Sequence, residues 1–159
     1  MQDIPSGVKP LADPVVVARF VRALREHDKT WDDVMAADPV LFTLALLSTP
    51  GNYFFDVDGQ GVVWFTDVVP GFSARFHVIA WSRELAGQDE ILRRLCIFMA
   101  DRLDLGRVYT IVPGWLPHVK RAAQRTTWLT HEGTLRNVFR KDDAWQDGEL
   151  YSVIREELL

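Results

Sequence analysis

RVYTIVP (Arg107–Pro113), WLPHVKRAAQRTTW (Trp115–Trp128) and LTHEGTLRNVFRKDDAWQDGELYSVIREEL (Leu129–Leu158) form the stretch on which the reading of this chain turns. The first segment is a short apolar run of the kind buried in a parallel sheet. The second begins with a proline in its first turn and continues as a helix from Leu116 to Arg125. The third carries the long strand hairpin that closes the chain.

Working back toward the N-terminus, Gly87 to Leu103 reads as a helix. Ile91, Leu92, Leu95, Phe98, Met99 and Leu103 make one apolar stripe, and Gly106 is the expected C-cap. Before it lie three strand-like runs: Tyr53–Val57, Gly61–Val69 and Ser73–Trp81. The turn signals Asp58-Gly59 and Pro70-Gly71 separate them, which predicts an antiparallel meander. Thr30 or Asp32 opens a helical stretch toward Leu47, with Pro39 predicting a kink or two short helices. Val17, Phe20, Val21 and Leu24 recur at helical spacing behind an Asp13 cap and Pro14. Val8–Leu11 is a candidate first strand. The order is βααβββαβαββ. A helix between Ser73–Trp81 and Arg107–Val112 implies that those two strands run parallel.

Length and composition bound the function. A chain of 159 residues fits one domain. It is 48% hydrophobic and 11% aromatic, with a net charge of −4. That balance fits a soluble globular protein and disfavours a nucleic-acid-coating role, which calls for a basic face. The single cysteine, Cys96, excludes an internal disulfide. Its place in an apolar helical pattern suggests a buried, inert thiol. No signal peptide is apparent, and no apolar run approaches the ~20 residues that cross a bilayer. The expectation is a cytoplasmic protein without nucleic-acid or membrane partners. The histidines lack metal-ligand spacing, so no metal is expected. No Gly-x-Ser-x-Gly or phosphate-binding lysine motif occurs.

The element order, the phrase His131-Glu132-Gly133-x-Leu135-Arg136 and the closing Tyr151-Ser152-x-Ile154 resemble the C-terminal half of the GNAT superfamily. Its members are acyl-coenzyme A-dependent N-acyltransferases. The Glu-Gly-x-Leu-Arg phrase is most similar to the ribosomal-protein and N-terminal acetyltransferase branch. Pro70-Gly71-x-x-Ala74-x-x-His77-x-x-x-Trp81 also resembles GNAT-like proteins of bacteriophage genomes. The resemblance implies one α/β domain over residues 1–159, with a mixed, mostly antiparallel twisted sheet of about six or seven strands and about four helices. It further implies acetyl-CoA as co-substrate and an amine acceptor, with a protein or peptide amine as the finer expectation.

Such a fold binds the pyrophosphate of CoA where a strand passes into a helix N-terminus, because free N–H groups and the helix dipole converge there. The loop pattern of the superfamily, Gln/Arg-x-x-Gly-x-Gly/Ala, falls on Glu84 to Asp89, with Gly87 as the central glycine. The cofactor residues it implies are Arg83, Ala86, Gly87, Gln88 and Asp89, with the strand edge Ile79, Ala80 and Trp81 for the pantetheine arm. Glu84 and Asp89 depart from the pattern. At ~4 Å and an effective dielectric of about 20, a like-charge pair costs on the order of 4 kcal/mol. Arg83, Arg93 and Arg94 could compensate if they point inward; alternatively Asp89 only caps its helix.

The usual acid of the superfamily, a tyrosine on the helix after the fifth strand, falls on Ala123. The asparagine common at that helix start falls on Leu116. The remaining catalytic candidates are His77, as a base in mid-strand, and Ser152, a hydroxyl on the last strand. Plainer readings stand beside several of these positions: His77 as a satisfied structural histidine, His118 as a solvated one, Trp81 and Tyr151 as core aromatics. Two other functions stay open from the sequence. One is a GNAT-fold binding or structural protein that has lost the reaction. The other is a dimerising module that uses its aromatic C-terminal strands, and a homodimer is compatible with either.

Overall fold

The computed structural model describes residues 3–26, 30–82 and 89–158. One sheet of seven strands organises it. The strands are β1 (Val8–Pro10), β2 (Tyr53–Val57), β3 (Gly61–Val69), β4 (Ser73–Ala80), β5 (Arg107–Pro113), β6 (Thr130–Lys141) and β7 (Ala144–Ile154). Their spatial order is β1-β2-β3-β4-β5-β7-β6. Every pairing is antiparallel except β4 with β5. The predicted α/β class, the meander and the parallel pair are therefore present.

The helices are α1 (Pro14–Glu26), α2 (Asp33–Ala37), α3 (Pro39–Ser48), α4 (Asp89–Leu103), α5 (Pro117–Arg125) and α6 (Arg155–Leu158). Their starts follow from local chemistry. The Asp13 carboxylate accepts from Val15 N at 2.9 Å, that of Asp32 from Met35 N at 3.0 Å, and that of Asp38 from Leu41 N at 3.0 Å. Each satisfies a donor that helix geometry leaves orphaned. Pro39 divides the second helical stretch into two, as expected. The short α6 was not foreseen.

The C-terminus of α4 corrects one expectation. Asp104, not Gly106, takes the left-handed conformation (φ 54°). Leu105 N then reaches back to Ala100 O at 3.0 Å, closing a Schellman-type cap. Gly106 instead lies against β4's leading turn, its N–H donating to Phe72 O at 2.9 Å. The β2–β3 turn is as predicted, with Asp58 and Gly59 both at positive φ.

Alternation along the strands sorts two apolar faces. On one, Phe55, Val63, Phe65, Ala74, Phe76, Val108 and Val153 pack with Leu95, Cys96 and Met99 of α4. On the other, Val62, Trp64 and Ile79 meet Val16, Phe20, Ala23 and Leu24 of α1. Phe20 is fully buried and sets its ring edge-on to Trp64 at 5.3 Å. Cys96 lies in the first core, where burial pushes its thiol well above the usual range. It is an inert packing residue.

Candidate active site

β4 and β5 begin side by side and then separate. Their pairing runs through Ser73↔Arg107 and Ala74↔Val108 and ends at Arg75↔Tyr109. Neither strand has frayed. On its far side β4 stays paired with β3 as far as Gly61↔Ala80, and β5 stays paired with β7 as far as Pro113↔Gly148. The two strands diverge as intact ribbons, so Phe76–Ala80 and Thr110–Pro113 face each other across a gap without strand partners there among the described residues.

A bulge accompanies the split. On β3, Asp67 and Val68 stand opposite the single residue Ala74, and Asp67 has φ 50°. Such an insertion bends a strand and raises its local twist. It lies one residue from the point where β4 leaves β5.

A cavity of about 910 Å³ occupies the gap, within the range of small-molecule sites. One wall comes from α5 and its approach, through Leu116, His118, Val119, Ala122 and Ala123. The opposite side is formed by Trp31, Met35 and Phe42 of the α1–α3 region, with Trp115 and Phe139 closing the β5–β6 end. The long β6–β7 hairpin is tied over this side. Asp33 accepts from Asp142 N at 2.8 Å and from Asp143 N at 2.9 Å, and the Lys141 ammonium donates to Trp31 O at 2.8 Å. The hairpin amides hold the Asp33 carboxyl below the usual carboxylate range. Gly148 makes room for the aromatic wall. A Cβ there would stand 2.6 Å from an Ile111 methyl carbon and 2.8 Å from the Phe139 ring. Phe139 thereby reaches Trp115, edge to face at 5.4 Å.

The expected site residues divide among three places. His77, Ile79, Ala80 and Asp89 line the cavity. Arg83, Ala86, Gly87 and Gln88, together with Glu84, lie outside the described residues. Ser152 and Trp81 lie away from the cavity lining. Ser152 is buried on β7 and its hydroxyl donates to Glu132, which also pairs with Arg107 at 3.5 Å. That trio locks β5, β6 and β7 together. Trp81 turns back onto the β2–β3 turn: its amide donates to Gln60 O at 3.1 Å and its indole to Gly59 O at 2.8 Å.

His77 is held by two neighbours on β3. Its ring stacks on Trp64 at 4.9 Å with 9° between planes, and Nε2 shares a hydrogen bond with Thr66 Oγ1 at 2.9 Å. Desolvation, helped by the neighbouring Arg75 charge, pushes its pKa down to about 3. It is a neutral imidazole of low basicity throughout the physiological range.

Asp89 opens α4 beside the cavity, where the helix dipole favours its charge. Arg93 and Arg94 do not offset it from within. Arg93 donates to Leu158 O at 2.9 Å, and Arg94 pairs with Glu90 at 2.9 Å. Ala123 stands on the wall where the resemblance expects a tyrosine, so that hydroxyl is absent from the site. His118, read from sequence as a solvated histidine, is exposed as expected and also stands on the same cavity wall. Arg75, placed by alternation on the face of His77 and Ile79, was given no role from sequence, although it is the strand's single permanent charge. Among the described residues no cluster of His, Cys, Asp and Glu could hold a metal ion.

No family model matches this sequence, and no curated protein matches it. Solved structures do match its fold. The spermidine N-acetyltransferase of Vibrio cholerae in complex with CoA and spermine is 14% identical, with TM-score 0.67, covering 95% of this chain and 96% of that one. A chimeric form of the same enzyme reaches TM-score 0.71 at 16% identity, covering 95% and 98%. Mutant forms of that spermidine/spermine N-acetyltransferase give 0.68 at 16%, covering 97% of each chain. The likeness spans nearly the whole of both chains and establishes the fold.

Proposed function

We propose that this protein is an N-acetyltransferase that takes its acyl group from acetyl-CoA and passes it directly to an amine. The observation that carries the reading is the end of β4–β5 pairing at Arg75↔Tyr109, with the cavity opening beyond it. An extended pantetheine arm can lie in that gap as a surrogate strand, using backbone groups that have no strand partner. The superposable enzyme from Vibrio cholerae was solved with CoA bound, which supports the same use of this fold here.

In the proposed reaction the amine lone pair attacks the thioester carbonyl. The C–S bond breaks, the nitrogen loses a proton and the CoA thiolate gains one. Holding the two reactants in the cavity supplies much of the rate, since a positioned reaction avoids the entropy cost of encounter. His77 is too weak a base to take the proton from an amine. His118, on the α5 wall, is the imidazole we assign to proton handling, with water as its relay. A protein or peptide amine remains the acceptor suggested by the Glu132-Gly133-x-Leu135-Arg136 phrase.

Acetyl-CoA should raise the melting temperature. Saturation at one hundred times Kd corresponds to about 2.7 kcal/mol. Release of CoA thiol in the presence of an amine panel then measures turnover. No shift at millimolar acetyl-CoA would remove the proposal.

A further inference from the structure

Arg75 is a partly buried cation that makes no ion pair among the described residues. It sits at the apex of the gap, on the last residue of β4 that pairs with β5, and it lines the cavity. Among the described residues no carboxylate comes within ion-pair distance, and its buried Nε has no hydrogen-bond partner. What it touches is the face of Phe139, with the guanidinium carbon 5.9 Å from the ring centroid. Burial works against its charge, while Asp67, Asp32 and Tyr109 act on it from a distance. A desolvated guanidinium with an unused donor is costly unless something completes it.

Resting on the reaction proposed above, we infer that Arg75 selects the acceptor by binding a carboxylate that the amine substrate itself carries. The acceptor class is then an aminocarboxylate. The field at this end of the cavity suits it. Arg75 offers a planar fork matched to a carboxylate, and Asp32 and Asp67 line the same cavity as counter-charges for an ammonium. A polyamine has no group for Arg75 and would set a cation against it. The shared chemistry has two sources, a free amino acid or the acidic first residue of a peptide.

The test compares matched acceptors at saturating acetyl-CoA. The panel holds aspartate, β-alanine, ethylamine, spermidine, and short peptides beginning with Asp or with Ala. We expect kcat/KM for β-alanine to exceed that for ethylamine at least about tenfold, as follows from leaving a buried charge unpaired. Whether aspartate or the Asp-first peptide is the better substrate identifies the source. Arg75→Gln should erase the preference through KM, with the acetyl-CoA thermal shift unchanged; Arg75→Lys should restore part of it. Equal use of ethylamine or spermidine by the wild type overturns the inference and needs no variant. So does an Arg75→Gln enzyme that loses kcat uniformly for all amines, which would mean a structural or oxyanion role. Binding of acetyl-CoA with turnover of other amines but of no aminocarboxylate overturns this inference alone. Absence of acetyl-CoA binding overturns the reaction and the inference together.

Discussion

Arg75 and Tyr109 are the last residues at which β4 and β5 pair, and everything chemically interesting lies beyond them. The strands separate while each keeps its outer partner, so the gap is held open by the rest of the sheet and is present before any ligand arrives. A preformed cleft spares the ligand the cost of opening it.

Ala123 offers the most direct intervention. It lines the cavity, at the position where the GNAT resemblance places a tyrosine acid. Ala123→Tyr should raise kcat by about tenfold or more, toward the low end of what a positioned acid contributes. Ala123→Trp, by contrast, should fill the wall and abolish the acetyl-CoA thermal shift. Steady-state kinetics and thermal melts check the pair.

His77 makes a prediction about acid. Its folded pKa, about 3, lies below its unfolded value of 6.5. Between those values the unfolded chain binds the proton and the folded one does not. Stability therefore falls as pH drops from 6.5 toward 3 and is fully present above 6.5. Glu149, held low by its hydrogen bond to His131, and Asp33 act in the same direction at the acidic end. His77→Phe keeps a ring on Trp64 but removes the titration. Its urea midpoint should change less between pH 7 and pH 4 than that of the wild type.

The hairpin strap can be released at one residue. Asp33→Ala removes the acceptor for both turn amides, Asp142 N and Asp143 N. Those two amides should then exchange with solvent markedly faster, while amides of the β3–β4 pairing keep their protection. Hydrogen exchange followed residue by residue reads this directly.

Phe20 measures the α1 face of the core. It is wholly buried against Trp64 and Phe54. Phe20→Ala should cost about 3–5 kcal/mol, read from chemical denaturation. A cost below about 1 kcal/mol would mean that α1 does not pack on β3 as described.

The features of this fold differ in how far apart in the chain their determinants lie. Asp13, Asp32 and Asp38 cap helices, Asp58-Gly59 makes a turn, and Pro39 starts α3 and so separates it from α2, all through interactions within a few residues. Such features are legible in the chain because their energetics are local. The parallel β4–β5 pair was legible too, since an intervening helix leaves few alternatives. The site was only partly so. His77 could be placed on the right face from alternation, but its neutrality comes from Trp64, Thr66 and Arg75, gathered from two strands. Ser152 and Trp81 looked equally suited to the site, yet long-range partners, Glu132 for one and Gly59 and Gln60 for the other, draw them elsewhere.

Sequence alone thus determined the order of the seven strands and the main helices, the Asp13 cap, the Asp58-Gly59 turn and the parallel crossover, because each is set by contacts within a short span of chain or by the length of one connection; it did not foresee α6, and it misplaced the α4 cap. Tertiary structure alone decided where the sheet opens, which side chains the opening exposes and that Arg75 meets it with a donor unused. Those outcomes depend on twist, burial and dielectric, and these arise only when segments far apart in the chain are brought together.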